Sequence, residues 1–110
     1  MVFYFTGTGN SLYVAKRLEE NPISIPQVMR QENMTFAADS IGVVSPVYGH
    51  EVPSMVKEFL KKAIFQTGYF YMILTYGNRH GGAAELAHQL CRECGIQPAY
   101  INVVLMVDNW

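Results

Sequence analysis

The chain has 110 residues, half of them hydrophobic, with eight Lys and Arg against nine Asp and Glu for a formal charge of −1. That length and apolar content suit a single domain over residues 1–110 that hides roughly 65% of the surface an extended chain exposes, and they exclude disorder. Balanced charge excludes the basic excess that holds phosphate backbones or anionic lipid, so neither nucleic acid nor a membrane surface is an expected partner.

Val2 to Phe5 reads as a short buried strand stopped by Thr6-Gly7-Thr8-Gly9. A helix follows from Asn10, with Leu12, Ala15 and Leu18 at helical spacing and Val14 beside them, until Asn21-Pro22 ends it. Residues 21–40 are the least legible; Ile23 to Ile25 suggest a brief edge strand and Gln27 to Asn33 a helical turn or two. Ile41 to Ser45 is the next strand, closed by Pro46. Val52, Met55, Val56, Phe59, Leu60 and Ala63 then trace a helix with Pro53 in its first turn. Tyr69 to Thr75 makes another strand. The helix after it carries Ala83, Leu86, Ala87, Leu90 and Cys94 inward and ends at Gly95, and Ala99 to Met106 is the last strand. The longest apolar runs, Tyr69–Leu74 and Val103–Val107, are too short to cross a bilayer, and Met1 leads straight into a strand-like segment, so a soluble cytoplasmic protein is expected. Strands that are almost wholly apolar and alternate with helices predict an α/β fold, a parallel sheet covered by helices on both faces.

The segment Thr6-Gly7-Thr8-Gly9-Asn10-Ser11 falls between a strand and a helix. Its glycines let backbone N–H groups approach a ligand, three hydroxyls can donate, and the helix begins with its positive dipole end, which together make an anion site without lysine. It is neither a Gly-x-x-x-x-Gly-Lys loop nor Gly-x-Gly-x-x-Gly, since Leu12 occupies the last position. The same residues resemble the phosphate loop of the flavodoxin family, Thr/Ser-x-Thr-Gly-x-Thr, with Ser11 standing for the final Thr. The start Tyr4-Phe5-Thr6-Gly7-Thr8-Gly9-Asn10 is similar to flavodoxin-like domains that are often joined to a ferredoxin-type cluster domain. The resemblance covers most of the chain and is poorest over residues 21–40.

The resemblance implies a doubly wound sheet in which the five predicted strands, counted along the chain, lie in the order 2-1-3-4-5. It also implies one noncovalent FMN at the carboxyl ends of strands 1, 3 and 4. Thr6, Gly7, Thr8, Gly9, Asn10 and Ser11 would hold its phosphate. Pro46, Val47, Tyr48 and Gly49 would follow strand 3, with Tyr48 offering a flat ring and a peptide at Gly49 meeting the flavin N5. Thr75, Tyr76, Gly77, Asn78, Arg79, His80, Gly81 and Gly82 would clasp the pyrimidine side, Arg79 or His80 opposing negative charge on the reduced ring.

The remaining chemistry-bearing residues draw plainer readings. His50 is a rim residue and His88 a solvated one; no catalytic side chain is required, and no His, Cys and carboxylate cluster has metal-ligand spacing. Cys91-x-x-Cys94 sits near a helix C-terminus, where the dipole disfavours thiolate, so core packing is expected instead of redox chemistry. Flavodoxins usually finish with a fifth helix, for which no residues follow the last strand here. The sheet face beside that strand is then expected to leave Tyr100, Val103 and Leu105 or their alternates partly exposed, as an interface for a homo-oligomer or another subunit. Ferredoxin-type cysteine repeats are missing, so an iron–sulfur redox partner would be another chain. The first reading is an FMN-binding electron-transfer protein. Its rivals are an FMN-dependent reductase of a quinone or similar acceptor, fed by NAD(P)H and walled by His50, Arg79, His80 and Asp108-Asn109-Trp110, and a nonredox interaction module without flavin.

Overall fold

A computed structural model describes residues 1–6, 10–77 and 81–106. In chain order these form β1 (Val2–Tyr4), α1 (Asn10–Leu18), β2 (Ile23–Ser24), α2 (Ile25–Val28), β3 (Thr35–Ala37), β4 (Ile41–Pro46), α3 (Ser54–Lys62), β5 (Ile64–Gln66), β6 (Phe70–Tyr76), α4 (Ala83–Glu93) and β7 (Tyr100–Leu105). Five strands make one all-parallel sheet in the order β2-β1-β4-β6-β7. With β3 and β5 set aside, that is the predicted 2-1-3-4-5 order. Among the described residues no helix follows β7.

Successive strand residues point to opposite faces, and the sheet sorts its apolar side chains accordingly. Phe3, Val43, Met72 and Leu74 face a large core closed by Ile25 and Val28 of α2, Val56, Phe59 and Leu60 of α3, and Ala83, Ala87, Leu90 and Cys91 of α4. Val2, Val44, Tyr71 and Ile73 face a smaller cluster whose buried helical residue is Ala15 of α1. The central strands β4 and β6 are buried almost throughout, which is why they read as unbroken apolar runs.

On the α1 face the Tyr71 ring lies across its register partner Gly42, where any Cβ would run into it. It stacks on its other partner, Tyr100, with centroids 5.2 Å apart and planes 15° from parallel. The row Gly42, Tyr71, Tyr100 thus replaces one side chain with a ring borrowed from the next strand.

Four expectations are corrected. First, β3 and β5 pair in parallel as a separate two-stranded sheet, Thr35 against Ile64 and Ala37 against Gln66. Each contributes one inward ring. Phe36 lies 4.7 Å and Phe65 6.2 Å from Phe3, and Phe65 lies 5.1 Å from Phe70, which extends the aromatic core past the start of the main strands. Second, Ala63 is not helical: α3 stops at Lys62 and Ala63 turns extended (φ −72°, ψ 146°) to enter β5. Third, Leu18 is 45% exposed, Ser11 and Ala15 being the buried residues of α1; Leu86 and Met55 likewise sit at the margins of their helices. Fourth, the more deeply buried thiol is Cys91, fully buried with Met72 Sδ 3.7 Å away, while Cys94, at the end of α4, packs half-buried against the same core.

The last strand is half-covered on both sides: Tyr100 and Val104 pack on the α1 cluster, Ile101 and Val103 on the larger core, and Leu105 is 49% exposed. No described helix is long and apolar enough to cross a membrane.

Candidate functional site

Because the main sheet is parallel, the carboxyl ends of β1, β4 and β6 lie along one edge. Tyr4 pairs with Val44 and Pro46 with Thr75, so Thr6, two residues beyond Tyr4, leaves the sheet level with both. The ladder continues past β1, with Phe5 N donating to Val44 O at 3.0 Å. α1 then begins at Asn10. The strand and helix that flank the glycine- and hydroxyl-rich segment are therefore where the sequence predicted them. Gly7, Thr8 and Gly9, named above as phosphate ligands, lie outside the described residues.

Ser11 is 1% exposed in the first turn of α1, and its Oγ lies 3.1 Å from Thr75 Oγ1 at the end of β6, itself 3% exposed. The pair ties the first loop to the third. The hydroxyls hold two protons between them and their bond uses one. No other polar partner is found for either among the described residues. A buried donor with nothing to bond is a destabilising feature that a ligand oxygen would relieve.

The second loop is a compact turn. Val47 N donates to Thr75 O at 2.9 Å, Tyr48 N donates to Glu51 O at 2.9 Å, and Glu51 N returns a bond to Tyr48 O at 3.3 Å. Gly49 has φ +71°, which a side chain at the first central position of such a turn would resist, and no atom lies within 4 Å of where its Cβ would be. Tyr48, on the crevice rim, is 56% exposed. The Lys57 ammonium, 2.9 Å from Glu51 Oε1, holds that carboxyl below its usual range and braces the turn against α3. At this exposure the pair adds little stability.

In the third loop Tyr76 is half-buried and packs on the larger core, so the ring predicted to lie against the flavin has protein on one side. Gly77 is open, with nothing within 4 Å of where a Cβ would stand. Asn78, Arg79 and His80 lie outside the described residues, as do Val107 and Asp108-Asn109-Trp110. Gly81 and Gly82 have φ +47° and +85°, two consecutive left-handed residues that deliver the chain into α4. A Cβ on Gly81 would touch His50 Cβ at 3.5 Å, which brings the third loop against the second. The described residues of all three loops are therefore gathered on one edge.

A groove of about 240 Å³ between α3 and α4 was not anticipated. His50 forms its end at the crevice, Lys57, Lys61, Gln89 and Glu93 line its sides, and Leu90 lies at its floor. Its lining comes from two helices far apart in sequence, a juxtaposition that no local pattern encodes. Among the described residues no cluster of three His, Cys, Asp or Glu is placed to hold a metal.

No protein-family model matches the sequence, and no curated protein matches it. Solved structures do. The chain superposes on the flavodoxin of Megasphaera elsdenii, solved in its two-electron reduced form, with a TM-score of 0.62 and 19% identity, covering 99% of this chain and 89% of that one. A flavodoxin from the domain Archaea gives 0.58 and 17%, over 94% and 82%. Rubredoxin oxygen:oxidoreductase from the anaerobe Desulfovibrio gigas gives 0.62 and 14%, over 98% of this chain but only 30% of that larger one. Identities this low speak to architecture alone. The architecture is that of a flavodoxin-like α/β protein, with its candidate site at the carboxyl edge of the sheet.

Proposed function

We propose that the protein binds one FMN noncovalently and serves as an electron carrier. FMN supplies reversible uptake of electrons; the protein supplies the phosphate cradle, the ring contacts and the exclusion of water. The observation that carries the reading is the buried Ser11–Thr75 hydroxyl pair, whose second proton has no acceptor among the described residues, directly beside the strand-to-helix junction that bears Thr6 to Ser11.

The residues present fit the cofactor. Residues 6–11 contain hydroxyls and glycines but no cation, which suits a phosphate held by main-chain N–H groups and a helix N-terminus. Thr6, Thr8, Asn10 and Ser11 are its assigned side-chain partners, and Gly7 and Gly9 its backbone ones. The exposed ring of Tyr48 is assigned to stacking, and the unobstructed backbone at Gly49 and Gly77 to hydrogen bonds with the ring.

Electron transfer needs only an exposed cofactor edge and a weak docking surface. We assign docking to a redox partner, an iron–sulfur protein included, to the crevice rim, and self-association or subunit contact to the α1-side sheet face at β7, where Tyr69 is 44% exposed beside the rings of Tyr71 and Tyr100. Light scattering at micromolar concentration tests the second assignment, and a strictly monomeric protein would remove it. The rival reductase is favoured by one feature, the groove that opens at His50. Reduction of bound flavin by NADPH without an added reductase would select it. A visible spectrum tests the main proposal: the purified protein, or apoprotein given FMN, should show the bands of bound oxidised flavin with quenched fluorescence. A colourless preparation that takes up no FMN would point to a nonredox interaction module.

A further inference from the structure

The Ser11–Thr75 pair carries a consequence for phosphate selectivity, which rests on the FMN reading. Ser11 belongs to the first turn of α1, beside the proposed anion, whereas Thr75 lies in β6 between β4 and β7. Residues 64 apart in sequence are brought to 3.1 Å, both at least nine-tenths buried, with one proton left over among the described residues. That proton can sit on either oxygen while the site is empty. A phosphate at the N-terminus of α1 selects one arrangement, because only Ser11 belongs to the element that meets it: Thr75 donates to Ser11 Oγ, and Ser11 turns its own proton to the phosphate oxygen. Donating to an oxygen also polarises its O–H, so the outer bond strengthens.

We propose that Thr75 is a positioning residue for phosphate recognition. It acts through Ser11, so the strand leading to the ring loop sets how strongly the chain prefers a phosphorylated flavin. Riboflavin, which has the ring and no phosphate, does not draw on this arrangement.

The test is fluorescence titration of the full-length apoprotein with FMN and with riboflavin. Thr75→Val should weaken FMN by about 2- to 4-fold, the strengthening that Thr75 lends to a charge-assisted bond, and leave riboflavin unchanged, while Thr75→Ser restores FMN binding to the wild-type level. Ser11→Ala should weaken FMN by about 10-fold or more, the loss expected for a charge-assisted bond, and adding Thr75→Val to it should weaken FMN no further. Equal losses of FMN and riboflavin in Thr75→Val would overturn the proposal, since Thr75 would then merely support the ring loop. Unchanged FMN binding, or losses that add in the double variant, would overturn it too. Should Thr75→Val not fold, Thr75→Ala asks the same question. A wild-type protein that binds neither flavin would remove the FMN reading itself and the inference with it.

Discussion

The same hydroxyl pair makes a prediction about stability that needs no cofactor. In the apoprotein two buried hydroxyls share one hydrogen bond, and the second proton has no acceptor among the described residues. Such a bond contributes about 1 kcal/mol, and a buried unsatisfied donor costs about 1–3 kcal/mol. Ser11→Ala or Thr75→Val alone breaks the bond and leaves one hydroxyl stranded, so each should lower stability by about 1 kcal/mol. Replacing both removes the bond and the stranded proton together, for a net change of about 0 to +2 kcal/mol relative to wild type. For a domain of this size 1 kcal/mol moves the melting temperature by about 4–8 °C. Thermal and urea unfolding of flavin-free protein, followed by circular dichroism, gives the four corners of the double-mutant cycle. The double variant should be at least as stable as wild type while binding FMN no better than Ser11→Ala does. A double variant whose losses add would refute the reasoning, because both hydroxyls would then be satisfied in the apoprotein.

Three further outcomes follow from the packing. Gly42→Ala drives a methyl into the Tyr71 ring and should lower stability by about 1–3 kcal/mol; the double change Gly42→Ala with Tyr71→Leu should recover part of that loss, which unfolding midpoints will show. Gly82→Ala places a side chain at φ +85° and should lower stability by about 1–2 kcal/mol while loosening the third loop, read as weaker flavin binding. Burial, with a smaller contribution from Cys94, pushes the Cys91 thiol up from 9.0 to about 11. The folded state thus prefers the neutral thiol, and that stabilisation is complete below pH 9 and lost as pH rises through about 11. At pH 8 iodoacetamide should label half-buried Cys94 well before Cys91; equal rates would contradict the buried placement.

Much of the fold was legible because its main elements are regular. β4 and β6 are buried along their length and read as continuous apolar runs, and α3 shows its inward stripe through Val56, Phe59 and Leu60. The β3–β5 sheet was not legible, since a three-residue strand with one inward ring, Phe36 or Phe65, has no period to detect. Cys94 was placed inward by extending the Ala83, Ala87, Leu90 stripe past the point where α4 ends, and Cys91, one residue on from Leu90, takes the buried position. Leu18 was placed inward by spacing alone, which cannot tell whether anything faces it. Of the site, the loops announced themselves through glycine and hydroxyl content. The Ser11–Thr75 bond did not, because it depends on sheet register that joins residues 64 apart. Nor did the core-side packing of Tyr76, which follows from the alternation of β6.

In the proposed complex an FMN phosphate sits on the first crossover while its ring lies between the other two loops. An amide NMR titration of the apoprotein with FMN tests this residue by residue. Saturation is expected at one equivalent, with the largest shifts at Thr6 to Ser11, at Tyr48 and Gly49, and from Gly77 to Gly82. Shifts confined to the α3–α4 groove, or none at all, would contradict it.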